Sequence, residues 1–322
     1  MSDLLLDVRE LETKFFLRRG TLTAVDRVSF QLHRKETLGI VGETGCGKSV
    51  MALSLMRLVT DPPGKITHGR ILYSGDDLLQ KSERDMRQIR GRKISMIFQE
   101  PLAALNPAFT VGEQVAECFM IHEGVGKKEA YERAAEILKK VGIPNAAERL
   151  KSYPHEFSGG MRQRVMIAMA LACNPDILIA DEPTTALDVT IQAQILYLLR
   201  ELLEQSGKAT IFITHDLGVA AVLCDRIAVM YAGSIVELAT RNELFERPLH
   251  PYTQGLLRAL PKRGAKRKLL DPIPGTLCNL IEPPPGCRFH PRCEHAMENC
   301  SSERPQLRPA EGGSSVACHL YS

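Results

Sequence analysis

The stretch GETGCGKS, residues 42–49, follows a short apolar run, LGIVG, and precedes the segment SVMALSLMRLV. It fits the pattern G-x-x-x-x-G-K-[ST], in which glycines let backbone N–H groups curve around phosphate oxygens. The apolar run predicts a buried strand over residues 38–42, and the later segment predicts a helix from residue 49. Strand, glycine-rich turn and helix in this order predict a phosphate-binding loop rather than a turn that is only rich in glycine.

Two residues of this loop have side chains suited to binding phosphate groups and their counter-ion. Lys48 is placed to reach the β- and γ-phosphates of a nucleotide, and the Ser49 hydroxyl is placed to ligate Mg²⁺. Cys46 is expected to be a small filler residue within the loop. The residues predicted to contact the nucleotide here are Gly42, Glu43, Thr44, Gly45, Cys46, Gly47, Lys48, Ser49 and Val50.

A second stretch, ILIADE at residues 177–182, is an apolar run that ends in two carboxylates. Burying a carboxylate is costly unless it has a cationic partner, so Mg²⁺ is the expected partner of Asp181. Glu182 then lies where a carboxylate can accept a proton from an attacking water. Two further residues end apolar strands, Gln99 after ISMIF and His215 after ATIFIT, but neither indicates a function by itself.

The composition of the chain narrows the classes of protein to which it can belong. Its 322 residues suit one large domain and a smaller one, and its net charge of +3 is too small to indicate a nucleic-acid partner. The longest apolar run, VMIAMALAC at residues 165–173, has roughly half of the about 20 residues that a membrane span requires. The start, MSDLLLDVRE, is acidic where a signal peptide is basic. We therefore expect any membrane association to come through a partner.

The order of patterns along the chain predicts an α/β fold. Residues 3–41 alternate apolar and polar positions, as strands do, and residues 110–173 have a helical pattern. Apolar strands then alternate with a long helical segment, which predicts a mainly parallel sheet covered on both faces. Further on, the basic stretch KRGAKRK, residues 262–268, predicts a linker. The predicted domains are residues 1–261, with a helical subdomain at about 110–173, and a small cysteine-bearing module at residues 262–322.

The segment FSGGMRQR, residues 157–164, places paired glycines before a helical pattern and precedes ILIADE. This order of motifs resembles the ATP-binding-cassette (ABC) family, and the resemblance covers about residues 4–260. It implies a P-loop nucleotide-binding fold with a RecA-like core, an antiparallel β-subdomain and a helical subdomain, and it implies ATP and Mg²⁺ as ligands. Met161 stands where the family usually has glutamine and cannot make the same side-chain hydrogen bonds, so we expect a working but asymmetric site.

The resemblance also implies roles for single residues. Ser158, Gly159 and Gly160 match the signature motif, which in the family completes the phosphate site of a second subunit. Gln99 matches the Mg²⁺-sensing residue that faces the transmembrane partner, Asp181 the Mg²⁺ ligand, and Glu182 the catalytic glutamate. Asp188 matches part of the loop that touches the opposite subunit, and His215 matches the γ-phosphate contact. Phe15, with Phe16 as the alternative, matches the ring that stacks on adenine.

Because the chain has one phosphate loop and one signature motif, the resemblance implies pairing with a second homologous cassette. HPYTQGLLRALP, residues 250–261, is similar to the tail of ATPase subunits from bacterial dipeptide, oligopeptide and nickel importers, although an ordinary amphipathic helix would show the same pattern. The implied partners are a sister ATPase in a heterodimer, two transmembrane permease subunits and an extracytoplasmic peptide-binding protein. The implied location is peripheral, at the cytoplasmic face of the bacterial inner membrane.

Uptake of dipeptides or oligopeptides is therefore the expected function, with nickel or another small solute as the alternative cargo. A soluble ABC protein that acts on ribosomes or DNA is less expected. Such proteins usually carry two cassettes in one chain or long coiled-coil inserts, and the sequence shows neither pattern. A P-loop kinase would lack the signature motif at residues 158–160.

Five of the nine cysteines lie between Cys278 and Cys318. Four of them, Cys287, Cys293, Cys300 and Cys318, follow the spacing C-x5-C-x6-C-x17-C. Structural zinc sites favour tighter pairs and all-thiolate sets also hold iron–sulfur clusters, so the residues leave a cluster, zinc and unliganded thiols open. Similarity to importer ATPases implies a [4Fe–4S] cluster on this quartet, with Cys278 outside it. The cysteines expected to be buried fillers are Cys46, Cys118, Cys173 and Cys224.

Overall fold

The computed structural model describes residues 3–100, 104–185, 187–260 and 273–321. The linker predicted at residues 262–268 lies outside these ranges, so the domain boundary placed beside it stays a prediction. Among the helices of the described ranges, none is both long enough and apolar enough to span a membrane.

The strands and helices follow the predicted order. In chain order the strands are β1 (Leu4–Leu17), β2 (Gly20–His33), β3 (Thr37–Val41), β4 (Gly64–Tyr73), β5 (Asp76–Asp77), β6 (Ile94–Ile97), β7 (Ile177–Asp181), β8 (Ala209–Thr214), β9 (Arg226–Tyr231), β10 (Ser234–Thr240), β11 (Arg308–Pro309) and β12 (Ser315–Val316). The α-helices within the described ranges are α1 (Lys48–Leu55), α2 (Glu83–Ile89), α3 (Val111–Glu123), α4 (Lys127–Lys140), α5 (Ala146–Arg149), α6 (Gly159–Leu171), α7 (Val189–Ser206), α8 (Leu217–Leu223), α9 (Arg241–Glu246) and α10 (Pro251–Arg258).

One of two compact units is formed by Met1–Leu79 and Phe212–Ser322. It contains an antiparallel sheet in the order β2, β1, β4, β5, and a second sheet in which β11, β12, β10, β9, β3 and the second half of β8 (residues 212–214) lie side by side. Strands β3 and β9 pair in parallel, and almost all of their residues are buried. This burial on both faces explains why their sequences are uninterrupted apolar runs.

The other unit is formed by Gln80–Ile211 and contains α2 to α7 with the parallel pair β6 and β7. Helix α3 begins at a capping box, because the Thr110 hydroxyl accepts a bond from the Glu113 N–H and the Glu113 carboxylate accepts from the Thr110 N–H. Such a cap contributes about 1 kcal/mol to the stability of the fold. Helix α4 ends as predicted before Gly142, whose φ of 79° is in the left-handed region. The long apolar run at residues 165–173 lies mostly in α6 and is largely buried within the folded protein.

The residues after 273 belong to the first unit and consist of short helical turns and two-residue strands. Strand β12 pairs antiparallel with β10, with Val316 opposite Glu237, and β11 pairs with β12. These residues therefore extend a sheet of the first unit. The buried apolar side chains in this part of the described chain are Phe289, Cys300, Val316 and Ala317.

The motif HPYTQ at residues 250–254 begins helix α10. The Nδ1 atom of His250 accepts a bond of 3.0 Å from the Tyr252 N–H and so caps the helix, with Pro251 at its first position. The buried Glu237 carboxylate accepts bonds from the N–H groups of Leu249 and His250 at 2.8 and 2.9 Å. The motif is therefore a buried helix start that fixes the direction of the Tyr252 side chain.

The buried His250 predicts a loss of stability in mild acid. Burial lowers the pKa of His250 from 6.5 to about 3, so the folded chain keeps this ring neutral while the unfolded chain protonates it. The contribution of the neutral His250 to the free energy of unfolding is fully present above pH 6.5. It is lost by about 1.4 kcal/mol per pH unit as the pH falls towards 3. Burial raises the pKa of Glu237, which acts in the opposite direction, so the wild type alone does not isolate the effect.

The matched control is His250→Asn, which keeps a capping acceptor but does not titrate. Between pH 7.5 and 5.5 we expect the apparent melting temperature of the wild type to fall by several degrees more than that of the variant. If the melting temperatures of the wild type and the variant fell by the same amount over this pH range, His250 would not remain neutral in the folded chain.

Candidate functional site

The loop at residues 42–49 connects β3 to α1, and its glycines are required by close backbone contacts. A Cβ atom at Gly42 would lie 2.1 Å from the Met230 carbonyl oxygen, and one at Gly47 would lie 2.1 Å from the Ala24 carbonyl oxygen. Gly47 also has a φ of 104°, which side chains disfavour. The loop is thus tightly packed against β2 and β9 of the same unit, as a rigid phosphate cradle must be.

Lys48 holds its ammonium group against the loop. Its side chain is buried, and Nζ donates to the carbonyl oxygens of Gly42 at 2.8 Å and Glu43 at 3.2 Å. Helix α1 begins at Lys48, and its N-cap is Gly47, a residue without a side chain that would occupy the N–H groups of the first turn. Those N–H groups and the ammonium provide positive potential for an anion.

Cys46 is fully buried in the loop, and burial raises the pKa of its thiol to about 11. This environment agrees with the expected filler role and makes a reactive thiolate rare at neutral pH. Cys224 is equally buried, as expected, whereas Cys118 and Cys173 are only partly buried. The Cys173 Sγ lies 3.3 Å from the Cys118 carbonyl oxygen, so these two partly exposed cysteines are neighbours in the other unit.

In the second unit, β6 and β7 are parallel neighbours, with Ile97 opposite Ala180. Gln99 and the pair Asp181 and Glu182 therefore leave the sheet at the same edge, where the carboxyl ends of the strands meet. The Gln99 Nε2 atom donates to Glu182 Oε2 at 3.4 Å. The structure thus brings together two of the residues that the sequence predicted separately.

Glu182 has two signs of a functional position. Its φ of 45° is left-handed, a conformation that costs a non-glycine residue on the order of 1–3 kcal/mol. The Thr185 hydroxyl donates to its Oε2 atom at 2.9 Å, and the side chain is largely buried. A strained backbone that is held by its neighbours aims this carboxylate in one direction.

The predicted signature motif lies at the start of α6. Ser158 is the N-cap, and its hydroxyl accepts a 3.3 Å bond from the Met161 N–H. A Cβ atom at Gly160 would lie 2.7 Å from the Ile191 side chain of α7. Asp188 caps α7 by accepting a bond from the Ile191 N–H at 3.0 Å. The signature and Asp188 are therefore both fixed at the starts of two helices that meet at Ile191.

Three aromatic residues predicted for the site lie in the first unit. His215 is exposed and immediately follows β8, ahead of Asp216, which caps α8. Phe15 packs near Gly64, where a Cβ atom would lie 2.7 Å from its ring, whereas 55% of Phe16 is exposed. Phe16 is therefore the more exposed of the two rings, and Phe15 is half-buried.

Two residues that were not predicted from the sequence contact the loop. The Tyr252 hydroxyl accepts a 3.0 Å bond from the Glu43 N–H, and Arg292 donates to the Glu43 carboxylate at 2.7 and 3.0 Å. The HPYTQ motif pointed to Tyr252 only through a family resemblance. A contact between residues 249 positions apart leaves no periodic signal in a single sequence.

Two cysteines of the predicted quartet are joined by a backbone hydrogen bond. The Cys287 N–H donates to the Cys300 carbonyl oxygen at 2.8 Å. Burial, and then the charges of Cys300, Cys318 and Cys293, raise the pKa of Cys287 to about 11. Across the described ranges, however, no group of three or more His, Cys, Asp or Glu side chains is arranged to hold a metal ion.

Comparison with known proteins identifies the family. A family model described as ABC transporter matches residues 25–185, and a second, described as oligopeptide/dipeptide transporter, C-terminal region, matches residues 236–300. The chain is 52% identical to a probable peptide ABC transporter ATP-binding protein of Sinorhizobium fredii, over 98% of this chain and 95% of that protein. It is 51% identical to the dipeptide transport ATP-binding protein DppD of Bacillus subtilis, over 98% and 94%.

The fold is also similar to that of a solved structure. The dimeric bacterial ABC transporter cassette MJ0796 matches with a TM-score of 0.65 and 28% identity, over 73% of this chain and 98% of that chain. The predicted α/β cassette fold is thus confirmed. From its motifs, its matches and its fold, the chain belongs to the ATP-binding proteins of ABC transporters and carries the C-terminal region of the oligopeptide/dipeptide group.

Proposed function

We propose that this chain is the ATP-hydrolysing subunit that powers the uptake of dipeptides or oligopeptides through a membrane importer. The observation that carries the proposal is the combination of a phosphate loop with the oligopeptide/dipeptide C-terminal region in one chain. Relatives at about half identity are named as dipeptide and oligopeptide transport ATP-binding proteins, and they match along nearly the whole chain.

ATP is bound through the loop, with Lys48 contacting its phosphates and Phe16 stacking on its base. Ser49, Gln99 and Asp181 are the residues proposed to bind Mg²⁺, because hydroxyl, amide and carboxylate oxygens are the donors that this ion prefers. Bound Mg²⁺ supplies positive charge to the phosphate oxygens. His215 is proposed to contact the γ-phosphate.

Glu182 is the proposed general base. Its carboxylate accepts the proton of a water as the water oxygen attacks the γ-phosphorus and the bond to the leaving ADP oxygen breaks. Gln99 and Thr185 donate to one oxygen of this carboxylate, which holds its orientation.

Ser158, Gly159, Gly160 and Asp188 are proposed to face a second cassette. MJ0796 cassettes are known in a dimeric structure and in a dimer bound to ADP and Pi. For this chain the proposed partner is a sister ATPase, and ATP between the two closes the pair until hydrolysis removes the γ-phosphate contact. Two permease subunits and an extracytoplasmic peptide-binding protein complete the proposed importer, which places the chain at the cytoplasmic face of the inner membrane.

Co-purification of the tagged chain from its own membranes tests the proposed function. We expect two permease chains and a second ABC ATPase in the purified assembly, and loss of labelled dipeptide uptake when the gene is deleted. Loss of nickel uptake with normal peptide uptake would support the alternative cargo. Recovery of ribosomes or DNA in place of permeases would overturn the transport function.

The cysteine quartet is proposed to hold a [4Fe–4S] cluster that stabilises the C-terminal residues. The donor set is all sulfur, as such clusters use, whereas structural zinc sites favour more closely spaced pairs of ligands. The few buried apolar side chains after residue 273 provide little core, so a metal centre would stabilise this segment. The cluster would be bound by the thiolates of Cys287, Cys293, Cys300 and Cys318.

Protein purified without oxygen is therefore expected to be brown and to contain about four iron atoms per chain, together with acid-labile sulfide. Cys300→Ser, which removes a buried thiol of the quartet, should lose most of this iron. Cys278→Ser is the matched control and should retain it. A colourless protein loaded with zinc would exclude the cluster.

A further inference from the structure

An ion pair between the C-terminal residues and the phosphate loop is the strongest feature of the first unit that the proposed roles do not use. Arg292 places its guanidinium in bidentate geometry on the Glu43 carboxylate, with Nη1 to Oε2 at 2.7 Å and Nη2 to Oε1 at 3.0 Å. The Arg292 side chain is 6% exposed and that of Glu43 is 30% exposed. Bidentate pairs shielded from water are the strong and direction-specific ones.

Glu43 connects this ion pair to the lysine of the loop. Its carboxylate contacts Arg292, its N–H donates to Tyr252, and its carbonyl oxygen accepts from Lys48 Nζ at 3.2 Å. The carboxylate, the N–H group and the carbonyl oxygen of Glu43 therefore each have a hydrogen-bond partner. Glu43 thus links the guanidinium of Arg292 to the ammonium of Lys48 within a single residue.

Arg292 is itself fixed by its surroundings. Its Nε atom donates to the Pro274 carbonyl oxygen at 2.8 Å, and its guanidinium lies 5.8 Å from the centre of the Tyr231 ring. The neighbouring Phe289 packs edge-on against Tyr231, with ring centres 5.2 Å apart. A rigid aromatic and backbone support therefore aims the arginine at the loop.

A second contact from the same segment supports this view. A Cβ atom at Gly45, in the middle of the loop, would lie 3.7 Å from the Leu277 side chain. The Leu280 carbonyl oxygen accepts a 3.3 Å bond from the Thr23 N–H of β2. The C-terminal residues thus contact the loop at two positions, Glu43 and Gly45, and also contact β2.

We propose that Arg292 is a positioning residue for nucleotide binding, which holds the phosphate loop and Lys48 in the binding geometry through Glu43. The C-terminal segment would then act as an internal support of the ATP site. This inference rests on ATP binding by the chain, as in the proposed function, but not on the cargo or on the partners.

Titration of the full-length chain with a fluorescent ATP analogue and Mg²⁺ tests the inference. Arg292→Met and Glu43→Gln are each expected to raise the Kd about tenfold, and Arg292→Lys, which keeps the charge but loses the bidentate geometry, about threefold. The double variant Arg292→Met with Glu43→Gln should be no weaker than either single one, because both remove the same interaction. In the assembled importer, KM for ATP should rise while kcat at saturating ATP stays within about twofold.

The matched control is Arg258→Met, which removes the exposed pair of Arg258 with Glu294 at 3.5 Å in the same region. Its Kd should equal that of the wild type. Melting curves should show that every variant is folded at the assay temperature, and if Arg292→Met is not, Arg292→Lys and Glu43→Gln decide by the same criterion.

Two outcomes would overturn the inference: a wild-type Kd in the Arg292 variants, or additive losses in the double variant. Failure of the wild type itself to bind the analogue would instead count against the proposed function. The two failures are therefore distinguished within one titration.

Discussion

Replacing Glu182 with glutamine is expected to lower ATP turnover by a factor of about 10²–10⁴ while ATP affinity changes little. A glutamine oxygen can still accept the bonds from Gln99 and Thr185, so the side chain keeps its position. An amide cannot take the proton of the attacking water, however, and the chemical step is then left without its base. Loss of the reaction without loss of binding is the result that identifies a general base.

The measurement is the rate of phosphate release by the assembled importer, together with ATP binding by the isolated chain. Glu201→Gln, on the exposed face of α7 in the same unit, makes the same chemical change away from the site and should leave both quantities unchanged. Because the variant binds ATP without splitting it, it should also trap the two ATPase subunits as an ATP-dependent pair. Turnover near the wild-type rate would remove Glu182 from its proposed role.

The phosphate loop could be predicted from the sequence because its geometry is local. Gly47 is required by its own φ of 104° and by a carbonyl oxygen beneath it, and this requirement appears as a fixed glycine position in the motif. The same is true of the strand that precedes the loop and of Gly142, which ends α4 in the left-handed conformation. In each case the residues that determine the conformation lie within a few positions of one another.

Features that depend on distant contacts could not be predicted. Phe15 and Phe16 are adjacent in the sequence, so both fit the position of the adenine-stacking ring in the family. Only the packing of Phe15 near Gly64 and the exposure of Phe16 show which of the two rings is more accessible. The two-residue strands β11 and β12 are too short to show a period. The backbone strain at Glu182 is likewise set by the surrounding fold, since its sequence neighbours are those of an ordinary strand end.

Lys48→Ala is expected to weaken ATP binding about 100-fold and thereby to abolish turnover at ordinary ATP concentrations. The wild-type ammonium is buried and donates to two carbonyl oxygens of the loop, so its loss removes a positive charge and leaves both acceptors without this donor. A charge-assisted hydrogen bond from the ammonium to a phosphate oxygen contributes about 1.5–3 kcal/mol, which corresponds to a factor of about 10 to 100 in the Kd for ATP. Part of this loss therefore falls on the shape of the loop and part on the phosphate contact.

Binding of ATP to the isolated chain measures this effect, and Lys65→Ala, an exposed lysine of β4, is the control that should bind normally. The comparison with Glu182→Gln is informative because the two variants fail at different steps. The glutamine variant should bind ATP and form the closed pair, whereas the Lys48 variant should form almost no pair at an ATP concentration about tenfold above the wild-type Kd. If Lys48→Ala still formed the ATP-dependent pair, closure would not require the loop to grip the phosphates, and the proposed coupling between nucleotide and transport would be wrong.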